Sequence, residues 1–142
     1  METERKKALA HRYIELWNTG NVALADEILA PTFVDHTHPD RPSGPESVKE
    51  EITTFRAAFP DAQVQVQQMI GEGDTIAFRF ELRGTHQGTF GPFAPTGKQV
   101  VLTGMDFLRT ADGKIVELWS TQDTLAWAEQ LGLSVVGFTS NQ

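Results

Sequence analysis

The stretch "AQVQVQQMIGEGDTIAFRFELRGTHQG", residues 62–88, decides the fold. Along it the apolar residues recur every second position, the period of a half-buried strand. Ile76, Phe78, Phe80 and Leu82 alternate with Ala77, Arg79, Glu81 and Arg83, so one face is predicted buried and the other polar. Gly71-Glu72-Gly73-Asp74 separates two such runs and signals a hairpin. His86 falls on the buried parity of the second strand.

Upstream the period is about 3.6. Leu9, Ala10, Tyr13, Ile14, Leu16 and Trp17 share one side of a first helix over residues 3–18, which Asn18-Thr19-Gly20-Asn21 ends. Leu24, Ile28 and Leu29 predict a short second helix that Pro31 stops. "TFVDHTHPD" is a brief extended piece leading into the loop "PDRPSGPES". Pro45 stands in a first helical turn, and Val48, Ile52, Phe55 and Phe59 carry a third helix to Pro60.

Downstream, "TFGPFAPTG" is a Gly/Pro loop, and "KQVVLTGMDFLRT" reads as a third long strand, largely apolar on both faces. Ala111-Asp112-Gly113 turns it into a fourth, "KIVELWSTQD", and "TLAWAEQLGL" closes as a helix or turn ended by Gly132. Neither a repeat nor a linker divides residues 1–142, so a single domain is expected. Its class is α+β, with three N-terminal helices packed on a curved antiparallel sheet that forms a cone with an interior pocket.

Bulk composition excludes several functions. A net charge of −7 and a pI near 5.0 disfavour nucleic acid and anionic membranes as partners, since both require clustered Lys and Arg. There are no cysteines, which removes disulfides, thiolate metal sites and cysteine nucleophiles. The N-terminus is charged and amphipathic, and no window approaches the roughly 20 apolar residues of a membrane span, so a cytoplasmic location is expected.

The order of "FVDHTHP", "GPESVKEEITTFRAAFPD", "GTHQGTF" with "PTG", and "GMDFLRTADGKIVELWSTQD" resembles the SnoaL-like polyketide cyclase and ester cyclase family. That family has the cystatin-like cone fold shared with nuclear transport factor 2 and ketosteroid isomerase. The resemblance runs over a core of about residues 5–131. It implies a cofactor-free protein whose pocket takes a small hydrophobic molecule, with intramolecular aldol chemistry on a carbonyl compound. It also implies a homodimer formed through the outer sheet face. Characterised cyclases use an aspartate at the end of the last long strand as acid/base, which falls on Asp123. They also carry a histidine one strand earlier, where this chain reads Thr103-Gly104-Met105-Asp106.

The candidate catalytic residues are therefore Asp123, His86 and His36. Trp119 and Trp127 flank Asp123 in sequence and would raise its pKa by desolvation, while the alternative is a helix N-cap near Ala126. His86 would donate to a substrate oxygen or orient Asp123, or else bond to the backbone at the mouth of the cone. His36 and His38 in H-x-H spacing invite a metal, but no third ligand stands at a diagnostic spacing, so no metal is expected. His36 is expected on the pocket wall and His38 on the loop surface. Tyr13, Trp17, Phe33, Phe90, Phe93, Met105 and Trp119 are the candidate substrate-binding residues of an apolar pocket.

Two further readings stand beside the cyclase. The same cone without chemistry would be a ligand-binding or dimerisation module. Alternatively, Tyr13 with Asp35 or Asp40 would match the ketosteroid isomerase arrangement of a helical tyrosine and an aspartate after the second helix. An epoxide-hydrolase-like site ranks last, because it needs an Asp-Arg-Asp arrangement with tyrosine and asparagine positioning water, and this chain has one tyrosine and no identifiable inward arginine.

Overall fold

Five strands form one sheet in the order β1-β5-β4-β3-β2, with helices packed against it. The computed structural model describes residues 2–132. In chain order these are α1 (Glu2–Thr19), α2 (Ala23–Ile28), β1 (Leu29–Asp35), α3 (Glu46–Ala58), β2 (Gln63–Glu72), β3 (Thr75–Thr85), β4 (Gln99–Ala111), β5 (Lys114–Gln122) and α4 (Thr124–Gln130). The tail from residue 133 onward lies outside the described residues.

The alternation in residues 75–85 appears as expected, with Ile76, Phe78, Phe80, Leu82 and, beyond the strand, His86 all buried. At the β4–β5 turn Asp112 and Gly113 both have positive φ, 52° and 76°, the backbone demanded by a tight Asp-Gly hairpin. Inward side chains of the sheet meet Leu16, Ile28, Val48, Ile52 and Phe59 from the helices in one core.

Two expectations need correction. The sheet is mixed, because β1 runs parallel to β5. Pro31 does not end a helix that includes Leu29. The second helix stops at Ile28, and Leu29 is already extended, at φ −101° and ψ 136°. Pro31 then lies inside an edge strand, a position that tolerates the missing N–H, and pairing with β5 is interrupted between Leu29 and Val34. This edge strand delivers Asp35 to the side of Leu118, a neighbour the linear order of helices and hairpins does not reveal.

Candidate active site

A cleft of about 840 Å³ opens between α1, α3 and the inner face of the sheet. Tyr13 and Trp17 reach it from α1, Glu51 and Phe55 from α3, Phe78 and Phe80 from β3, and Leu102 and Asp106 from β4. The loop after β1 adds Thr37, His38 and Arg41, β5 adds Ser120, and Phe90 and Trp127 close the aromatic side. Aromatic and aliphatic side chains form one part of its wall, and polar or charged ones, among them Asp35, Arg41, Glu50, Glu51 and Asp106, form the other.

Asp106 is the most unusual of these. Val100, Leu102, Leu108 and Thr110 share its strand parity and are buried, so the pleat carries Asp106 inward with them. It is 6% exposed, and its Oδ1 is buried without a hydrogen-bond partner among the described residues. Burial pushes its carboxyl up to about 7; the Ser120 hydroxyl, across the strand pair, opposes part of that rise, and the charges of Asp35 and Glu51 add to it. At neutral pH the group is thus poised between acid and carboxylate.

Tyr13 is buried beside it. Desolvation, then the negative charges of Asp106 and Glu51, hold its phenol well above the ordinary tyrosine value, so it stays a neutral O–H donor. Asp35 is buried too, but has partners suited to an anion. Its Oδ1 accepts from the Thr37 N–H at 2.9 Å, and its Oδ2 lies 2.9 Å from His38 Nδ1 and 3.7 Å from Arg41 Nη1. Arg41 in turn pairs with Glu51 at 2.8 Å.

The three residues first assigned to catalysis do not line this cleft, although Asp123 stands between Gln122 and Thr124, and His36 between Asp35 and Thr37, which do. Asp123 is exposed and is the N-cap of α4, its Oδ1 accepting from the Ala126 N–H at 3.1 Å; it borders a shallower groove with Arg79 and Met105. The indoles do not desolvate it, because Trp119 points to the outer face and Trp127 into the core. His86 is fully buried, stacked on Phe59, with Nδ1 bonded to Thr96, and does not reach the cleft wall. His36 lies on the outer face, stacked on Trp119 at 4.7 Å and paired with Glu117 at 2.7 Å. The Glu117 carboxyl is held below its usual range by Arg109 and then by His36.

H-x-H does not put both rings on one side here, because the strand ends at Asp35 and the chain turns. His36 goes outward and His38 lines the cleft. Among the proposed substrate contacts, Tyr13, Trp17 and Phe90 line the cleft. Phe33 is core, Phe93 pairs with Phe90 through a backbone bridge outside the lining, and Met105 and Trp119 are exposed on the outer parity of their strands. Among the described residues no three His, Asp or Glu side chains gather in a metal-holding group, and no helix is long and apolar enough to cross a membrane.

The family model for SnoaL-like polyketide cyclases matches residues 7–131. The chain belongs to the SnoaL-like polyketide cyclase family. Among solved structures it is similar to AclR, a candidate hydroxylase of Streptomyces galilaeus, at 29% identity and a TM-score of 0.82, covering 92% of this chain and 97% of that one. IdmH, a candidate polyketide cyclase of Streptomyces antibioticus, is 31% identical at a TM-score of 0.77, with coverages of 90% and 99%. A candidate polyketide cyclase of Bacillus cereus is also 31% identical, at 0.79, with 91% and 81% covered. Comparison with curated protein sequences gives no match.

Within this SnoaL-like chain, the residue that sequence reasoning passed over is Asp106. The signal was present: a carboxylate on the parity of Val100, Leu102 and Leu108 is either an error of register or a buried acid. Met105 and Phe107 on the opposite parity masked it, by making the strand read as apolar on both faces.

Proposed function

We propose that this SnoaL-like protein is an acid/base catalyst of the cyclase or isomerase type, acting on a hydrophobic carbonyl compound bound in the cleft. The observation that carries the reading is Asp106, a buried carboxyl that lines the cleft with one oxygen unpartnered among the described residues. Removing a proton next to a carbonyl puts charge on the carbonyl oxygen, and fixed donors aimed at that oxygen lower the barrier. Tyr13 and protonated Asp106 are two such donors facing one cleft. Ketosteroid isomerase uses the same pairing of a tyrosine with a neutral carboxylic acid.

An aldol ring closure and a double-bond isomerisation share this enolate step, so both fall within the proposal. The relatives described as candidate polyketide cyclases support a flat, carbonyl-rich substrate, as do Trp17, Phe55, Phe90 and Trp127 around the cleft. The acid/base role therefore moves from Asp123 to Asp106.

The test is exchange of the α-protons of 1-tetralone, a flat hydrophobic ketone, in D2O. Wild type is expected to accelerate deuterium uptake, and Asp106→Ala to lower that rate by on the order of 100-fold, the loss typical of one oxyanion donor. Equal rates for wild type and Asp106→Ala would overturn the assignment. Tight binding of the ketone with no exchange by wild type would instead favour a ligand-binding module.

A further inference from the structure

We infer that His38 is the proton acceptor of this site and that Asp35 is its positioning residue, an assignment that rests on the acid/base reading and names the base it leaves open. Asp35 ends β1 with its carboxylate buried, its side chain only 5% exposed, and its Oδ2 lies 2.9 Å from His38 Nδ1. A carboxylate there fixes the Nδ1–H tautomer and leaves the Nε2 lone pair free to take a proton. Nε2 makes no hydrogen bond to the described residues, and the ring lines the cleft. Of the four histidines, His38 alone lines that cleft.

The surrounding backbone holds this ring in place. The His38 N–H donates to the Asp35 carbonyl at 3.2 Å, and its own carbonyl accepts from the Arg41 N–H at 3.1 Å. The segment is fastened to β5 on the other side. His36 N–H donates to Leu118 O at 2.9 Å, and Thr37 Oγ1 accepts from the Ser120 N–H at 2.8 Å. Ser120 is the strand partner of Asp106, so the loop with the base and the strand with the acid are tied through one residue.

Asp35 is itself a poor candidate for the base, since Thr37, His38 and Arg41 surround its oxygens. It acts through the imidazole. The titratable and charged groups facing the cleft with His38 are Asp35, Arg41, Glu50, Glu51, Tyr13 and Asp106.

The step balances without a further reactant. A C–H bond next to the substrate carbonyl breaks, its proton passes to His38 Nε2, and its electron pair becomes the enolate. Tyr13 and Asp106 donate to the enolate oxygen. The imidazolium then returns the proton, to carbon in an isomerisation, or to the alkoxide oxygen once the aldol C–C bond has formed.

Two readouts test this. In the substrate-free protein, 15N shifts are expected to show His38 as the Nδ1–H tautomer, turning into a mixture in Asp35→Asn. An Nε2–H tautomer in wild type would overturn the dyad whatever the activity. In the 1-tetralone assay, His38→Gln is expected to lower kcat at least 100-fold with KM changed less than threefold, and to abolish the loss of rate on the acid side of the pH profile. Asp35→Asn should lower kcat less than His38→Gln while keeping that acid limb.

An active wild type whose rate and acid limb survive His38→Gln sinks the His38 assignment and leaves the role of Asp106 standing. A wild type that exchanges nothing sinks the catalytic reading and the base with it. His38 is on a solvent-facing loop, so an unchanged melting temperature in His38→Gln separates lost chemistry from lost fold.

Discussion

Adjacent rows of the sheet sort their polarity in opposite ways. On the inner face Phe78, Asp106 and Ser120 stand in one cross-strand line, and on the outer face the next line is Ala77, Phe107 and Trp119, continued by Ile70 on β2. The inner row buries a carboxyl, whereas the outer row leaves Phe107 52% and Trp119 41% exposed. Ordinary sorting would reverse this. A carboxyl kept inside against its solvation raises its own pKa and is available for proton transfer. An exposed aromatic row raises nothing comparable. The cleft, not the outer face, is therefore where the fold holds an ionisable group against its solvation.

The largest effect that would sharpen this contrast is on stability against pH. The Asp106 carboxyl lies near 7 in the folded chain and near 3.8 when unfolded, so between those values the folded chain keeps a proton the unfolded chain has lost. Its contribution is full below about pH 4, declines as pH rises, and is gone above about pH 7. At roughly 1.4 kcal/mol per pH unit the decline is about 4 kcal/mol at most. Urea unfolding of Asp106→Asn at pH 4 and pH 8 should show that slope removed, and an unchanged slope would mean that Asp106 is not the buried acid described here.

Next in size, Tyr13→Phe should slow α-proton exchange about 10- to 100-fold, about 1.4–3 kcal/mol of barrier, with the melting temperature nearly unchanged. Asp123→Ala should cost about 1 kcal/mol in chemical denaturation, the value of a helix cap, and leave exchange at the wild-type rate. A lost rate there would restore Asp123 to the chemistry. Smallest of all, Phe107→Ser should change unfolding free energy by less than about 0.5 kcal/mol, as expected for a half-exposed side chain. A loss of several kcal/mol would show that the outer row is covered in solution.

Much of the fold could be read before the structure, because alternation is a local signal. The parity of Ile76 to Leu82 and the Asp112-Gly113 turn need only a few neighbouring residues. The pairing of β1 with β5 is not local, and Pro31 looked like a stop because a proline in an edge strand and a proline after a helix leave the same trace. At the site, burial of His86 followed from parity, but its partner Thr96 sits across a loop whose path no periodicity describes. Asp123 had two readings from sequence, and its geometry is that of the cap. His36 turns outward, and His38, on the loop surface as expected, also lines the cleft, because the turn after Asp35 depends on a side chain bonding its own backbone two residues on.

The tie between Thr37 and Ser120 joins residues separated by 83 positions. Everything the cleft needs from the loop after β1 must wait until the last long strand has docked beside it. The helices and the β2–β3 hairpin can form early from short-range contacts, but non-local parallel pairing carries a loop-closure cost and forms slowly. The tie between this loop and β5 should thus form last in refolding, after most helical signal has returned, and a nascent chain ending before Ile115 would lack both that tie and Trp127 of the cleft's aromatic side.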